Sequence, residues 1–585
     1  MLVGCAMRTK AQDRRSGAHG ASHNDVFRKS VMSVTQQKNV SDWWREAVIY
    51  QVYPRSFMDS NGDGVGDLPG ITSKLDYIAA LGVDIVWISP FFTSPMRDFG
   101  YDVADYCDVD PMFGTLADFD QLVARAHELG LKIMIDQVLS HSSDQHPWFV
   151  ESRQNKINPK ADWYVWADPQ PDGTPPNNWL SIFGGSAWQW DTRRCQYYLH
   201  NFLTTQPDMN FHQPAVQQAH LDNMRFWLKR GVDGFRLDAC IFHFHDEQLR
   251  NNPAITEHKN AAVSKLNPYG MQAHIYDTTR PENLGFFEKV RALLNEYDAV
   301  SIGEIGADDA LAVMAQYTAD DNKLHMAYSF NLLTDDHSAA YIRKQVEEFE
   351  AKVKGGWASW SIGNHDVTRV MTRWRGNATS LASPEYAKAL LAMQLSLKGT
   401  PCLYQGDELA LTEADLPYEV LQDPVGLIFW PEVKGRDGCR TPMPWDADET
   451  NAGFSAGNPW LPVPLEHALA AVTQQQQDSA SVLNFFGKLI AWRKTLLQLT
   501  RGDIAFYDAP EPVLALRREL AGLPNIIAVV NLGEQTVSFD LPDSAAYEAM
   551  QGHGLAGLAA NGRVELPGYG AWFGMQRELF TEQSI

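Results

Sequence analysis

From Glu46 onward, short runs of β-branched, aromatic and aliphatic residues alternate with longer segments whose apolar positions recur at helical spacing. The predicted strands are AVIYQVYP (47–54), VDIVWISP (83–90), LKIMIDQVL (131–139), VDGFRLDA (232–239), AVSIGEI (299–305), HMAYSFNL (325–332), WASWSIGNHD (357–366) and TPCLYQGDE (400–408). Between them lie predicted helices over 71–82, 116–130, 216–231, 284–297, 309–318, 339–355 and 385–399, and SVLNFFGKLIAWRKTLL (481–497) closes the series.

The strands are continuously apolar, which predicts a parallel sheet covered on both faces. Eight strand–helix units in order predict that the sheet closes on itself, an α/β fold of the (β/α)₈ TIM-barrel type. An open doubly wound sheet is the rival, but it wants a glycine-rich turn after its first strand, and none stands there. At 585 residues the chain exceeds one core. The expected organisation is a disordered tail at 1–40, barrel at 41–140, an inserted subdomain at 141–210, and barrel again at 211–500. Lid insertions are expected at 242–281 and 411–462. After Arg501 the pattern shortens to alternating strands with Gly and Pro at the turns, which predicts an antiparallel β-sandwich over 501–585.

Charge narrows the partners. Lys plus Arg is 49 against 72 Asp plus Glu, a net −23 that repels nucleic acid and anionic membrane surfaces. No run approaches a membrane span, so no membrane is expected. Six cysteines (Cys5, Cys107, Cys195, Cys240, Cys402 and Cys439) are scattered without a CxxC pair, which suits a reducing, cytoplasmic setting. The first forty residues lack the apolar core of a secretory signal. Leu2-Val3-Gly4-Cys5 is read as a chance likeness to a lipoprotein site, with Met32 as an alternative start.

The chemistry is sought at the carboxyl ends of the strands, where barrels of this kind build their sites. Asp238 ends strand four, Glu304 strand five and Asp366 strand seven, with His141, Arg236 and His365 on the same rim. Glycoside cleavage needs one carboxylate to attack the anomeric carbon and one carboxylic acid to protonate the leaving oxygen. Arg236, two residues before Asp238, is expected to keep it ionised, and desolvation at Glu304 is expected to favour the acid role. Asp366 is left to bind sugar hydroxyls. For any one of these residues a loop cap is the commoner explanation; three together favour catalysis.

The segments DQVLSH (136–141), GFRLD (234–238), GEI around Glu304 and SIGNHD (361–366) resemble the α-amylase superfamily of glycoside hydrolases, family 13. VIYQVYPRSFMDSNGDGVGDLPGI and GRDGCRTPMPW are similar to its bacterial α-glucosidase and oligo-1,6-glucosidase branch, and the likeness runs from about Asp42 to the C-terminus. The resemblance implies Asp238 as nucleophile, Glu304 as acid/base and Asp366 as transition-state stabiliser. It implies that Asp102 and Arg436 grip the non-reducing end, with Arg440 the less favoured alternative to Arg436. Tyr101 would stack under the sugar, Phe183 would form an apolar wall, and His141, Arg236 and His365 would complete the pocket. Ala239 after the nucleophile accompanies α-1,4 preference in similar enzymes, where valine accompanies α-1,6. Gln137 to Ser140 depart from relatives that place an asparagine before the histidine.

Asp59, Asn61, Asp63, the Val65 carbonyl and Asp67 offer oxygens at alternate positions of a glycine-bearing loop, a pattern that suits structural Ca²⁺ or Mg²⁺. Gly70 stands where an EF-hand would place its bidentate glutamate. Two decoys remain. Gly453-Phe454-Ser455-Ala456-Gly457 matches GxSxG without a flanking strand or helix, and His243-Phe244-His245 is assigned to the lid after strand four. Trp163, Trp166, Trp179, Trp188 and Trp190 are expected mostly to pack the subdomain rather than stack on sugar.

The resulting expectation is a retaining, exo-acting α-glucosidase for short α-1,4-linked oligosaccharides, with glucosyl transfer as a side reaction and no organic cofactor, as monomer or homodimer. The alternatives are an α-1,6-preferring enzyme, a sucrose-active transglucosidase, an endo-acting amylase and a catalytically dead barrel scaffold. The lack of an RLDR-like loop between Tyr317 and Phe330 weakens a sucrose isomerase.

Overall fold

The computed structural model describes residues 40–257, 260–374 and 383–577, so positions 1–39 of the expected tail, Cys5 and Met32 included, lie outside the described residues. Trp44 onward forms one compact unit.

All eight predicted strands form. They are β1 (Ile49–Val52), β2 (Ile85–Ile88), β3 (Lys132–Gln137), β4 (Gly234–Leu237), β5 (Val300–Ile305), β6 (Met326–Ser329), β7 (Ser359–Ser361) and β8 (Thr400–Tyr404). Every position but Lys132 is buried, as a sheet covered on both faces requires. Neighbours pair in parallel in the order β6-β5-β4-β3-β2-β1-β8-β7. A parallel bridge between Ala327 and Ala358 joins the two ends and closes the barrel.

The helices between strands carry local start signals. Thr115 and Asp118 form a reciprocal capping box at Leu116–Glu128, and Pro214 opens Pro214–Leu228. The helix expected over 71–82 differs: it begins earlier and is split at Lys74 into Leu68–Ser73 and Leu75–Ala80. Asp67 caps the early start through the Gly70 N–H, while the Thr72 and Ser73 hydroxyls donate back to Leu68 O and Gly70 O and compete with the helical ladder.

After β3 the chain folds a three-stranded antiparallel sheet of Trp166–Ala167, Trp188–Asp191 and Gln196–Leu199. Trp179 and Trp188 stack at 5.9 Å in its small core, and Trp166 stacks on Phe149. After Arg501 a five-stranded and a three-stranded antiparallel sheet enclose a core around Val529, Phe539, Val564 and Trp572. The other face of the larger sheet packs Leu514, Leu516 and Val530 into the barrel's apolar cluster.

Candidate active site

Barrel register brings the acids together. Arg236 lies abreast of Asp136 on β3 and Ile302 on β5, so Asp238 and Glu304, each two residues further on, reach the next layer side by side. Arg236 is completely buried, and its guanidinium is shared among the acids. Nη1 donates to Asp136 Oδ1 at 2.7 Å and Asp238 Oδ1 at 2.6 Å, and Nη2 lies 2.5 Å from Glu304 Oε1. Tyr328, abreast of Glu304 on β6, donates to Glu304 Oε1 at 2.8 Å, and the Ala239 N–H donates to Oε2 at 3.0 Å. That second bond requires Ala239 to adopt φ +40°, left-handed backbone that a non-glycine residue rarely takes.

One positive charge facing three carboxylates leaves the cluster with surplus negative charge, so protons are retained. Burial pushes Asp238 well above the ordinary carboxylate range against the pull of Arg236, with Glu304, Asp136 and Asp366 adding to the rise. Burial likewise lifts Asp136 to about 6 despite Arg236. The expectation that Arg236 keeps Asp238 ionised is therefore corrected: burial and the crowd of acids outweigh one guanidinium.

Asp366 follows β7 and has the opposite environment. Arg440 Nη2 lies 2.9 Å and Arg436 Nη1 3.3 Å from its Oδ1. Burial opposes ionisation, but the neighbouring guanidinium groups of Arg436, Arg440 and Arg236 outweigh it and hold Asp366 well below the usual range. His365 is fully buried and kept neutral by that burial; Gln51 Nε2 donates to its Nδ1 at 2.7 Å, and its Nε2 pairs with the Tyr101 hydroxyl at 2.5 Å. Tyr101 also stacks on the His365 ring at 5.4 Å.

These groups surround a cavity of about 410 Å³. Asp238, Glu304, Asp366, Tyr101, His141, Phe183, Ala239 and Arg436 line it, while Arg236 and His365 stand behind the acids. Burial lowers His141 to about 4, so its Nε2 is available to the Tyr101 carbonyl only as a neutral donor at 3.0 Å.

Asp102 is a correction. Its carboxylate accepts from Ser94 Oγ, Asp98 N and Arg97 N, it does not line the cavity, and burial raises it to about 6. The acid that meets Arg436 is Asp98, at 2.9 Å. Both aspartates lie beside the FGY segment, and spacing alone does not say which turns inward. Sequence reasoning also missed Tyr328 and Gln206, which meet Arg236 and Asp98 from 92 and 108 positions away, and Asp423, which meets Arg436 across 13 positions of an irregular loop. Arg440, the less favoured alternative, touches Asp366 together with Arg436.

In the loop over 59–67 each side chain satisfies its own backbone. Asp59 accepts from Asn61, Gly62 and Gly64 N–H groups, Asn61 from Asp63, Asp63 from Val65, and Asp67 from Gly70 and Ser60. Among the described residues no group of three or more His, Cys, Asp or Glu stands ready to hold a metal ion. The GxSxG serine, Ser455, donates to Asp59 Oδ2 at 2.5 Å and serves this loop. His243 is buried against Asn283 and Phe211 and does not line the pocket.

A closed parallel barrel with an acid-lined pocket at its carboxyl rim defines the class: a barrel enzyme equipped for acid–base and nucleophilic chemistry. The Alpha amylase, catalytic domain, profile matches residues 51–502, and the chain belongs to the α-amylase family of glycoside hydrolases, as an enzyme of α-glucosidase type. A probable alpha-glucosidase of Rhizobium meliloti is 52% identical over 537 residues, covering 91% of this chain and 97% of that protein. An oligo-1,6-glucosidase of Heyndrickxia coagulans is 38% identical over 544 residues, covering 86% and 94%. Among solved structures, the alpha-glucosyl transfer enzyme XgtA superposes with TM-score 0.89 at 57% identity, covering 92% of this chain and 99% of that one. The trehalulose synthase MutB of Pseudomonas mesoacidophila MX-45 reaches 0.82 at 33% identity, covering 92% and 99%.

Proposed function

We propose that this chain is a retaining, exo-acting α-glucosidase that releases terminal glucose from short α-1,4-linked oligosaccharides such as maltose, with glucosyl transfer as a side reaction. The observation that carries the reading is the contact of Asp238 and Glu304 with the two terminal nitrogens of one guanidinium, at 2.6 and 2.5 Å, inside the pocket. In the first step Asp238, once its carboxyl has released its proton to solvent, bonds through one oxygen to the anomeric carbon as the glycosidic C–O bond breaks, and the Glu304 proton passes to the leaving oxygen. In the second, Glu304 takes a proton from water or from an acceptor hydroxyl, whose oxygen displaces Asp238. Asp366, held ionised by two arginines, is placed to bind hydroxyls and favour the oxocarbenium-like ring.

Exo action fits a pocket whose acceptor side is lined by the inserted segments, with Ala262 and Val263 on one and Val425 and Phe429 on the other. The apolar character of that side favours transfer, because it offers water few partners. A sucrose-active transglucosidase is the second reading, favoured by the likeness to a glucosyl transfer enzyme at 57% identity. Ala239, in the pocket wall, supports α-1,4 over α-1,6 preference. The free thiols of Cys107, Cys240, Cys402 and Cys439 fit a cytoplasmic setting, and among the described residues no helix is long and apolar enough to cross a membrane.

The loop over 59–67 is proposed to hold structural Ca²⁺ or Mg²⁺ through Asp59, Asn61, Asp63, Asp67 and the Val65 carbonyl. Its carboxylates keep lone pairs beyond those their own backbone uses. Chelation is then expected to lower the unfolding temperature, and an unchanged temperature would remove the metal from the account.

The deciding experiment compares glucose release from maltose, isomaltose, sucrose and soluble starch, with Asp238→Asn as control. Fast maltose cleavage abolished by Asp238→Asn is the expected result. Preference for sucrose would move the assignment to the second reading, and wild-type inactivity on all four would overturn both.

A further inference from the structure

The lining residues grade in exposure, and the most buried of them mark the inner end of the pocket. Asp98, Tyr101 and His141 are 4%, 5% and 1% exposed, whereas Leu266 at the mouth is 64% exposed. At that inner end both carboxylate oxygens of Asp98 are engaged. Oδ1 accepts from Arg436 Nη2 at 2.9 Å, and Oδ2 accepts from Gln206 Nε2 at 3.1 Å. Neither holder is free to move. Arg436 donates through its backbone N–H at 2.7 Å, Nε at 3.1 Å and Nη2 at 2.7 Å to Asp423, a fully buried residue of the segment after β8. Asp423 is itself fixed, because its N–H donates to Asp437 Oδ2 at 2.9 Å. Gln206, also fully buried, donates from the same amide to the Tyr101 carbonyl at 3.3 Å.

Asp423 and Gln206 do not line the cavity. They act on it from two insertions, Gln206 from the segment after β3 and Asp423 from that after β8. Asp423 also draws Arg436 towards itself, so that the guanidinium stands at 3.3 Å from Asp366 rather than closing on it as a tight pair. Without Asp423, a buried arginine with two remaining acids would settle on the oxygens meant for sugar hydroxyls.

We propose that Asp423 and Gln206 are positioning residues that hold Arg436 and Asp98 in the pose that reads the hydroxyls at the non-reducing end, and so set the discrimination between glucose and its C4 epimer. The inference rests on the α-glucosidase reading above. A carboxylate with a fixed guanidinium beside it presents an acceptor and a donor at set positions, and a ring whose hydroxyl points elsewhere leaves both unpaired.

The test measures kcat and KM of the full chain for p-nitrophenyl α-D-glucoside and p-nitrophenyl α-D-galactoside, for wild type, Asp423→Asn, Asp423→Glu and Gln206→Met. The expected result is a glucoside-to-galactoside ratio of kcat/KM reduced about tenfold or more in Asp423→Asn and Gln206→Met. The loss should come through a raised glucoside KM with kcat within about threefold, and Asp423→Glu should restore part of the ratio. A merely structural role would lower the folded fraction and leave both the ratio and KM unchanged. If Asp423→Asn does not fold, Gln206→Met carries the decision by the same ratio. Ratios within about twofold of wild type in the folded variants, with the wild type cleaving the glucoside, would overturn the proposal. Wild-type inactivity on the glucoside would instead strike the α-glucosidase reading itself.

Discussion

Buried arginines occupy two very different places in this molecule. At the rim of the barrel, Arg236 faces Asp136, Asp238 and Glu304. At the seam between barrel and C-terminal sheets, Arg518 donates to five backbone carbonyls, those of Ser396, Leu397, Leu499, Gly502 and Asp503. Arg493 beside it donates to Leu395 O, Glu46 O and Gly399 O. The seam cations sit on the carbonyl ends of Pro384–Ser396 and Leu497–Arg501, where helix dipoles supply partial negative charge and the acceptors are backbone carbonyls, which do not titrate. The rim cation is given more negative charge than it can neutralise. The seam arrangement joins two parts of the fold; the rim arrangement stores protons and nucleophilic oxygen next to a cavity.

The sharpest way to break that contrast is to remove one acid at the rim. Asp238→Asn is expected to lower kcat on maltose by on the order of 10⁴-fold or more while leaving the unfolding temperature at pH 7 unchanged or higher, because it relieves surplus charge. A lower unfolding temperature would mean that Asp238 stabilises the fold. At the seam, Arg518→Met should do the reverse. It strands carbonyls that lose a charged donor, at a cost of about 3–5 kcal/mol, visible as a lower denaturation midpoint, with kcat/KM per folded molecule unchanged.

A subtler prediction compares two acids of the rim by pH. Asp238, raised on folding, binds its proton more tightly in the native state, so its contribution weakens as pH climbs above the ordinary carboxylate value near 4. Asp366, lowered on folding, contributes stability that is present above that value and lost as pH falls through it. Asp366→Asn should therefore be destabilised relative to wild type at pH 7 and less so near pH 3, and Asp238→Asn should gain on wild type as pH rises from 4 to 7. Unfolding curves across pH test this, and parallel curves for the two variants would refute the opposed assignments. The smallest effect is expected at Ala239→Val, where a β-branched side chain at φ +40° costs about 1–2 kcal/mol of stability and shifts the maltose-to-isomaltose rate ratio towards isomaltose.

The parts of the fold legible in advance share one property: their signal is local. Eight apolar runs of strand length, each followed by a helical period, are decided within a dozen residues, and all eight strands formed. The acids after β4, on β5 and after β7 were legible because parallel strands of a barrel deliver their carboxyl ends to one rim. The split at Lys74 was missed because side-chain hydroxyls of Thr72 and Ser73, which apolar periodicity does not register, decided it.

By itself, then, the amino-acid order determined the barrel, its direction and which strand ends carry acid, since hydrophobic period and chain direction are properties of neighbours. Only the tertiary structure decided that Asp98 rather than Asp102 meets Arg436 and that Gln206 and Asp423 hold the pair. It also decided that burial outweighs Arg236 at Asp238. These outcomes depend on groups separated by 338 positions for Asp98 and Arg436 and 108 for Asp98 and Gln206, and on a dielectric that exists only once the barrel has closed around them.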